Sequence, residues 1–188
     1  MQRTPEPELM EGEEQALAYA AADFSAGDQS LIERLVELFP QGLGDGLLDL
    51  GCGPGNITFL LARQFSGSQV VGVDGAAAML HLAEQALAAE PALQQRLSFE
   101  QRCLPDPCLA GGYSALVSNS LLHHLHDPQV LWQAVLQLAG PDARVYVKDL
   151  RRPASPAAAI DLQRRYQGDA PPVLQRDYLA SLHAAGRS

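Results

Sequence analysis

The chain has 188 residues, 47% hydrophobic and 19% charged, which suits one domain with one core. Its net charge of -9, from 13 basic and 22 acidic residues, disfavours a phosphate backbone as partner. No apolar run is long enough to cross a bilayer, and the acidic start Met1–Glu8 lacks the basic and apolar pattern of a secretory signal. Three cysteines, Cys52, Cys103 and Cys108, suit a reduced, cytoplasmic protein without a disulfide framework. With no second cysteine pair, a structural zinc site is not expected.

Residues 1–7, with two prolines and little apolar content, read as a disordered tail. A helical cap is expected over 8–45. Its first helix carries Leu9, Leu17 and an alanine run, and ends near Asp23-Phe24. A second, capped by Ser25 or Asp28, shows an apolar face of Leu31, Ile32, Leu35, Val36, Leu38 and Phe39. Pro40 and the glycines at 42, 44 and 46 stop it.

A core over 46–150 then alternates strands and helices. Strands are expected at Gly46–Leu50, Gln69–Val73, Leu97–Glu100, Tyr113–Ser118 and Ala143–Lys148. Helices are expected at Ile57–Phe65, Ala76–Ala89, and from Asp127-Pro128 to about Ala139. Two helices, Pro156–Gln167 and Val173–Ala185, fill 151–188. The pattern predicts an α/β fold: a Rossmann-like parallel sheet with helices on both faces.

In such a sheet ligands bind beyond the carboxyl ends of the strands. The first strand runs into Leu50-Gly51-Cys52-Gly53-Pro54-Gly55-Asn56. Glycine at Gly51 permits a tight turn, and Gly53 and Gly55 let a ligand approach the backbone. The following helix offers free N–H groups. The spacing is G-x-G-x-G. A dinucleotide G-x-G-x-x-G would need glycine at Asn56, and a P-loop would need Gly-Lys-Ser/Thr. Asp74, at the end of the second strand, is placed to accept hydrogen bonds from two ribose hydroxyls, to cap the next helix, or to do both. Asp49 is a carboxylate just before the glycines. It suits the ammonium group of a bound amino acid, which a nicotinamide dinucleotide does not have.

These residues carry a resemblance. Leu47–Thr58 and Val70–Leu80 resemble the first two motifs of class I S-adenosylmethionine-dependent methyltransferases. Leu104-Pro105 and Tyr113–Pro128, with Ser118-Asn119-Ser120-Leu121-Leu122-His123-His124-Leu125 inside, resemble the later strand regions of the small-molecule branch. The likeness covers about residues 17–152. It implies that Asp49, Gly51, Cys52 and Gly53 line the methionine part of the cofactor. It implies that Asp74 binds the ribose and that Gly75 and Met79 flank the adenine. Cys103 or, in a shifted alignment, Glu100 stands where the family often has an adenine-binding acid, next to Leu104. Asn119 and Ser120 would lie beside the sulfonium. The N-terminal helices would form a lid, with Tyr19 and Phe24 near it.

The implied reaction is in-line methyl transfer to a small-molecule acceptor. His123, His124 and His126 are candidate general bases, His123 and His124 foremost, with packing the blander reading. A metal site among them is not expected, because no carboxylate or cysteine partner is evident nearby in sequence. The family fold has seven strands, and only two helices follow the fifth strand here. The expectation is a five-strand sheet lacking the final antiparallel pair, as in a C-terminally truncated chain. Its open edge would invite self-association. Two alternatives stand beside this reading: a non-catalytic remnant that binds the cofactor, and an NAD-dependent oxidoreductase.

Overall fold

The computed structural model describes residues 1–7 and 9–186; the expected segment ends at Glu8 and Ser188 fall outside them. Five strands form one sheet in the order β3-β2-β1-β4-β5: β1 (Gly46–Leu50), β2 (Gln69–Asp74), β3 (Leu97–Gln101), β4 (Tyr113–Asn119) and β5 (Ala139–Lys148). Every neighbouring pair is parallel. The strand order reverses at β1, so the crevice between the carboxyl ends of β1 and β4 is the place where such a sheet binds ligands. This is the expected Rossmann-like arrangement.

The two faces of the sheet follow the period of two along each strand. On one face Leu47, Val70, Ala115 and Val117 pack under α2 (Ser25–Leu38) and α3 (Asn56–Gln64), through Leu31, Ile32, Leu35, Ile57 and Leu61. On the other, Leu48, Leu50, Val73 and Leu116 pack under α5 (Gln129–Leu138), through Leu131, Ala134 and Leu138. Asp49 falls on the α3 face, between two apolar positions of β1, and is 1% exposed. A smaller cluster joins α1 (Glu13–Ala21) to α4 (Ala77–Ala88) through Ala16, Ala76 and Met79.

The helix α6 (Pro156–Gln167) starts where expected, with Ser155 Oγ accepting the Ala158 N–H at 3.2 Å and proline in the first turn. Its partner α7 (Pro172–Ala184) reaches back to α1, where Gln15 donates to Asp177 at 2.8 Å. Tyr166 of α6 and Leu174, Asp177, Tyr178 and Ser181 of α7 line the crevice.

Three local expectations need correction. The strand β5 begins at Ala139 rather than Ala143, because Tyr113 pairs with Ala139 before a register irregularity absorbs Gly140-Pro141. At the start of α2, Asp23 Oδ1 accepts the Ser25 N–H at 3.0 Å, so neither Ser25 nor Asp28 makes that contact. Residues 1–7, expected as a disordered tail, are fastened to the body. Arg3 donates to the carbonyls of Leu125, His126, His123 and Ala184 at 2.6–3.3 Å, and the Thr4 N–H donates to His183 O at 3.1 Å. One guanidinium, with five donors in a fixed fork, gathers carbonyls from two separate chain segments.

Candidate functional site

The crevice opens into a cavity of about 750 Å³, within the range of small-molecule sites. Its floor is the glycine loop. Gly51, Gly53 and Gly55 hold φ of +75, +53 and +91°, in the left-handed region where side chains are strained. At Gly51 the loop also presses close to Leu121, leaving no space for a Cβ. Gly53 is different: a Cβ there would meet nothing and would project into open space. The loop is tied to β2, since Val73 O accepts both the Gly51 and the Cys52 N–H, at 2.8 and 3.0 Å. Asn56 and Ile57, in the first turn of α3 behind Gly55, line the same space.

Asp74 does two structural jobs. One carboxylate oxygen accepts the Gly53 N–H and the other the Ala76 N–H, each at 2.8 Å. It thus holds the glycine loop against the start of α4. The carboxylate, with about four acceptor positions, keeps capacity for a ligand hydroxyl. Burial raises the Asp74 pKa despite these hydrogen bonds. Asp49 accepts the Thr58 hydroxyl at 2.7 Å. Burial, with Asp74 and Asp28 nearby, lifts its pKa to about 7. A carboxyl so placed is poised for a cationic partner.

Most of the residues singled out in the sequence line this one cavity; Gly55, Glu100 and His126, whose Nε2 lies 3.2 Å from the Glu6 carbonyl, do not. Asp49, Gly51, Cys52, Gly53, Asp74, Gly75 and Met79 line one end, with Cys103 and Leu104 beside them. Asn119 and Ser120 line the middle, and His123 and His124 the far end. Ser120 adopts φ +62°, an uncommon conformation for a side-chain-bearing residue, at the exit of β4. Of the two alternatives after β3, Cys103 reaches the cavity, whereas Glu100 turns to Arg102 at 3.1 Å. Tyr19 and Phe24 also line it, with ring centroids 4.7 Å apart. Burial pushes the Tyr19 hydroxyl up to about 12, so it stays protonated.

The far end holds groups that sequence reasoning missed. Asp149, just past β5, accepts the Leu122 N–H at 2.7 Å and lies 2.5 Å from His123 Nδ1. Glu6, from the N-terminal segment, places Oε1 3.5 Å from both His123 Nε2 and His124 Nδ1. Asp177, Tyr178 and Ser181 of α7 complete the wall. Burial and the neighbouring His123 hold the His124 pKa down to about 4, and burial raises that of Glu6. Only the histidine run signalled this end in the sequence; the carboxylates lie far from it along the chain.

Residues 48–145 match the family model described as a methyltransferase domain, and the chain belongs to this family. Over 60 residues it is 45% identical to trans-aconitate 2-methyltransferase of Paracidovorax citrulli, covering 32% of this chain and 23% of that protein. Over 118 residues it is 32% identical to ubiquinone biosynthesis O-methyltransferase of Cronobacter sakazakii, covering 59% of this chain and 44% of that protein. The match thus spans less than half the length of either relative. Among solved structures, the plantazolicin methyltransferase BamL, in complex with a triazolic desmethylPZN analog and S-adenosylhomocysteine (SAH), superposes with a TM-score of 0.71 at 17% identity. That superposition covers 93% of this chain and 62% of BamL. Coclaurine N-methyltransferase, also with SAH, gives 0.58 at 16% identity, over 68% of this chain and 36% of that one. These likenesses fix the fold.

Proposed function

We propose that the chain binds S-adenosylmethionine in this cavity and transfers its methyl group to a small-molecule acceptor. The observation that carries the reading is Asp49, a buried carboxyl beside a glycine loop whose open side faces the cavity. An α-ammonium group answers that carboxyl, and the open side of Gly53 leaves the space a ligand backbone needs.

When bound, S-adenosylmethionine supplies an activated methyl group on a sulfonium and leaves as SAH. The chain's part is to hold and orient. In this reading Asp49 holds the ammonium, and Gly51, Cys52 and Gly53 flank the methionine. Asp74 takes the ribose hydroxyls on its free lone pairs. Gly75, Met79, Cys103 and Leu104 enclose the adenine. Asn119 and Ser120 stand between cofactor and acceptor, and Tyr19 and Phe24 cover the cavity against water. The named activities of the two relatives, on trans-aconitate and in ubiquinone biosynthesis, support an acceptor bearing carboxylate or hydroxyl oxygens. A general-base step is not assigned: both His123 ring nitrogens already face Glu6 and Asp149, and His124 Nδ1 faces Glu6 and the Pro7 carbonyl.

Among the described residues no helix is long and apolar enough to cross a membrane. With three free cysteines, the reading includes a reducing, cytoplasmic setting. It also includes self-association along β5, an edge strand of the sheet. The activity is tested by incubating the chain with S-adenosylmethionine and a panel of small carboxylic and phenolic acceptors, with SAH measured by mass spectrometry. Acceptor-dependent SAH formation is the expected result. SAH that never exceeds the acceptor-free rate overturns the catalytic reading and leaves the cofactor-binding remnant as the better account.

A further inference from the structure

The far end of the cavity holds side chains that the methyl-transfer reading leaves without a task. Glu6 arrives from the N-terminal segment, and His123 and His124 from the turn after β4. One potential ligand atom from each lies within 4.8 Å of the other two. Glu6 Oε1 is 3.5 Å from His123 Nε2 and 3.5 Å from His124 Nδ1. Those separations are long for hydrogen bonds. They match the edge of a coordination shell: a tetrahedral ion with bonds of 2.0–2.1 Å sets its ligands about 3.4 Å apart.

Two further observations point the same way. The Glu6 side chain is 9% exposed, and its Oε1 has no hydrogen-bond donor among the described residues. A buried carboxylate oxygen in that state costs stability until a cation completes it. Its other oxygen accepts the Ser181 hydroxyl at 3.4 Å, which orients the carboxylate toward the imidazoles. Behind His123, Asp149 Oδ1 lies 2.5 Å from Nδ1. A carboxylate on Nδ1 holds the proton there and leaves the Nε2 lone pair facing Glu6, the arrangement that supports metal-bound histidines. His124 Nδ1 has a competing neighbour, Pro7 O at 3.4 Å, which an ion would displace.

We propose that Glu6, His123 and His124 bind one divalent transition-metal ion of the zinc class (zinc or cobalt), four-coordinate, with the fourth position open to the cavity. Two imidazoles and one carboxylate suit these ions, whereas magnesium and calcium take shells of oxygen. Arg3 anchors the segment that delivers Glu6, so the site exists only when the N-terminal segment is docked. The open position faces the space assigned to the acceptor, where a carboxylate or hydroxyl oxygen completes the shell. That last consequence rests on the methyl-transfer reading; the metal site does not.

The test uses the whole chain, stripped with a chelator, dialysed and titrated with Co²⁺ as spectroscopic probe. One equivalent binds, with the intense visible d–d bands of a four-coordinate N/O site. Glu6→Gln and His124→Gln each weaken binding at least about tenfold, with far-UV circular dichroism and Tm preserved, while His81→Ala on the exposed face of α4 binds as the parent does. Absence of stoichiometric Co²⁺ binding overturns the proposal. So does a weak six-coordinate spectrum, or Glu6→Gln and His124→Gln both binding like the parent chain. A parallel calorimetric titration of the parent chain with SAH separates the two ideas. Intact SAH binding without cobalt binding removes only the metal site, and cobalt binding without SAH binding removes only the cofactor reading.

Discussion

At the β1–β2 end of the cavity, Asp49, the glycine loop and Asp74 come from one short run of chain. At the β4–β5 end, Glu6, His123, Asp149 and Tyr178 come from four separate stretches. The first end is held by its own backbone: Val73 O and the Asp74 carboxylate bind loop amides directly. The second is held by tertiary docking, with Arg3 clamping the N-terminal segment against the turn after β4 and the end of α7. A strand–turn–helix unit can keep its geometry through many changes elsewhere. An end assembled by docking depends on every segment that reaches it. We therefore expect the cofactor end to be stiff and the far end to be tunable.

The sharpest way to break this contrast is Asp74→Ala. It removes the group proposed to hold the ribose and frees the Gly53 and Ala76 amides together. Affinity for SAH should fall at least about a hundredfold, as expected for losing hydrogen bonds to a charged group. Unchanged binding in calorimetry would take Asp74 out of the site. Next in size is Gly51→Ala, which forces a side chain into φ +75° against Leu121. It should cost about 1–3 kcal/mol of stability in urea denaturation; a neutral result would mean the loop relaxes and is not stiff.

A third effect is read through pH. Asp49 titrates near 7 in the folded chain against an ordinary 3.8, so between these values the folded state holds a proton that the unfolded state has released. Its stabilising contribution is full below pH 4 and is lost as pH rises through about 7. Denaturation at about pH 5 and about pH 8 should show the parent chain losing more stability than Asp49→Asn. Equal losses would place the titration elsewhere. The smallest effect belongs to the docked segment. Arg3→Ala should lower Tm by a few degrees and speed proteolysis of residues 1–7, with SAH affinity unchanged within about twofold. A large loss of SAH affinity would join the two ends that we separate.

The same contrast explains what was legible in the sequence. Gly46–Leu50 matches β1 to the residue, because a short apolar strand bounded by glycines leaves little choice. Asp49 and Asp74 were readable because strand ends and glycine turns put them at a fixed offset from the loop. Glu6 was not readable. It sits in a proline-rich stretch that composition assigns to disorder, and its ordering depends on Arg3 meeting carbonyls more than a hundred residues away. Asp149 was missed for a related reason: only the pairing of β5 with β4 brings it under His123. The start of β5 was misplaced because Gly140-Pro141 reads as a helix stop, while the pairing of Ala139 with Tyr113 lies outside any local signal.

Titration calorimetry tests directly whether the Asp49–glycine loop–Asp74 unit is a site for S-adenosylmethionine. The parent chain is titrated with SAH and, separately, with NAD. The expected result is one SAH per chain with micromolar or tighter affinity and no measurable heat with NAD. Binding of NAD in place of SAH, or of neither, would contradict it.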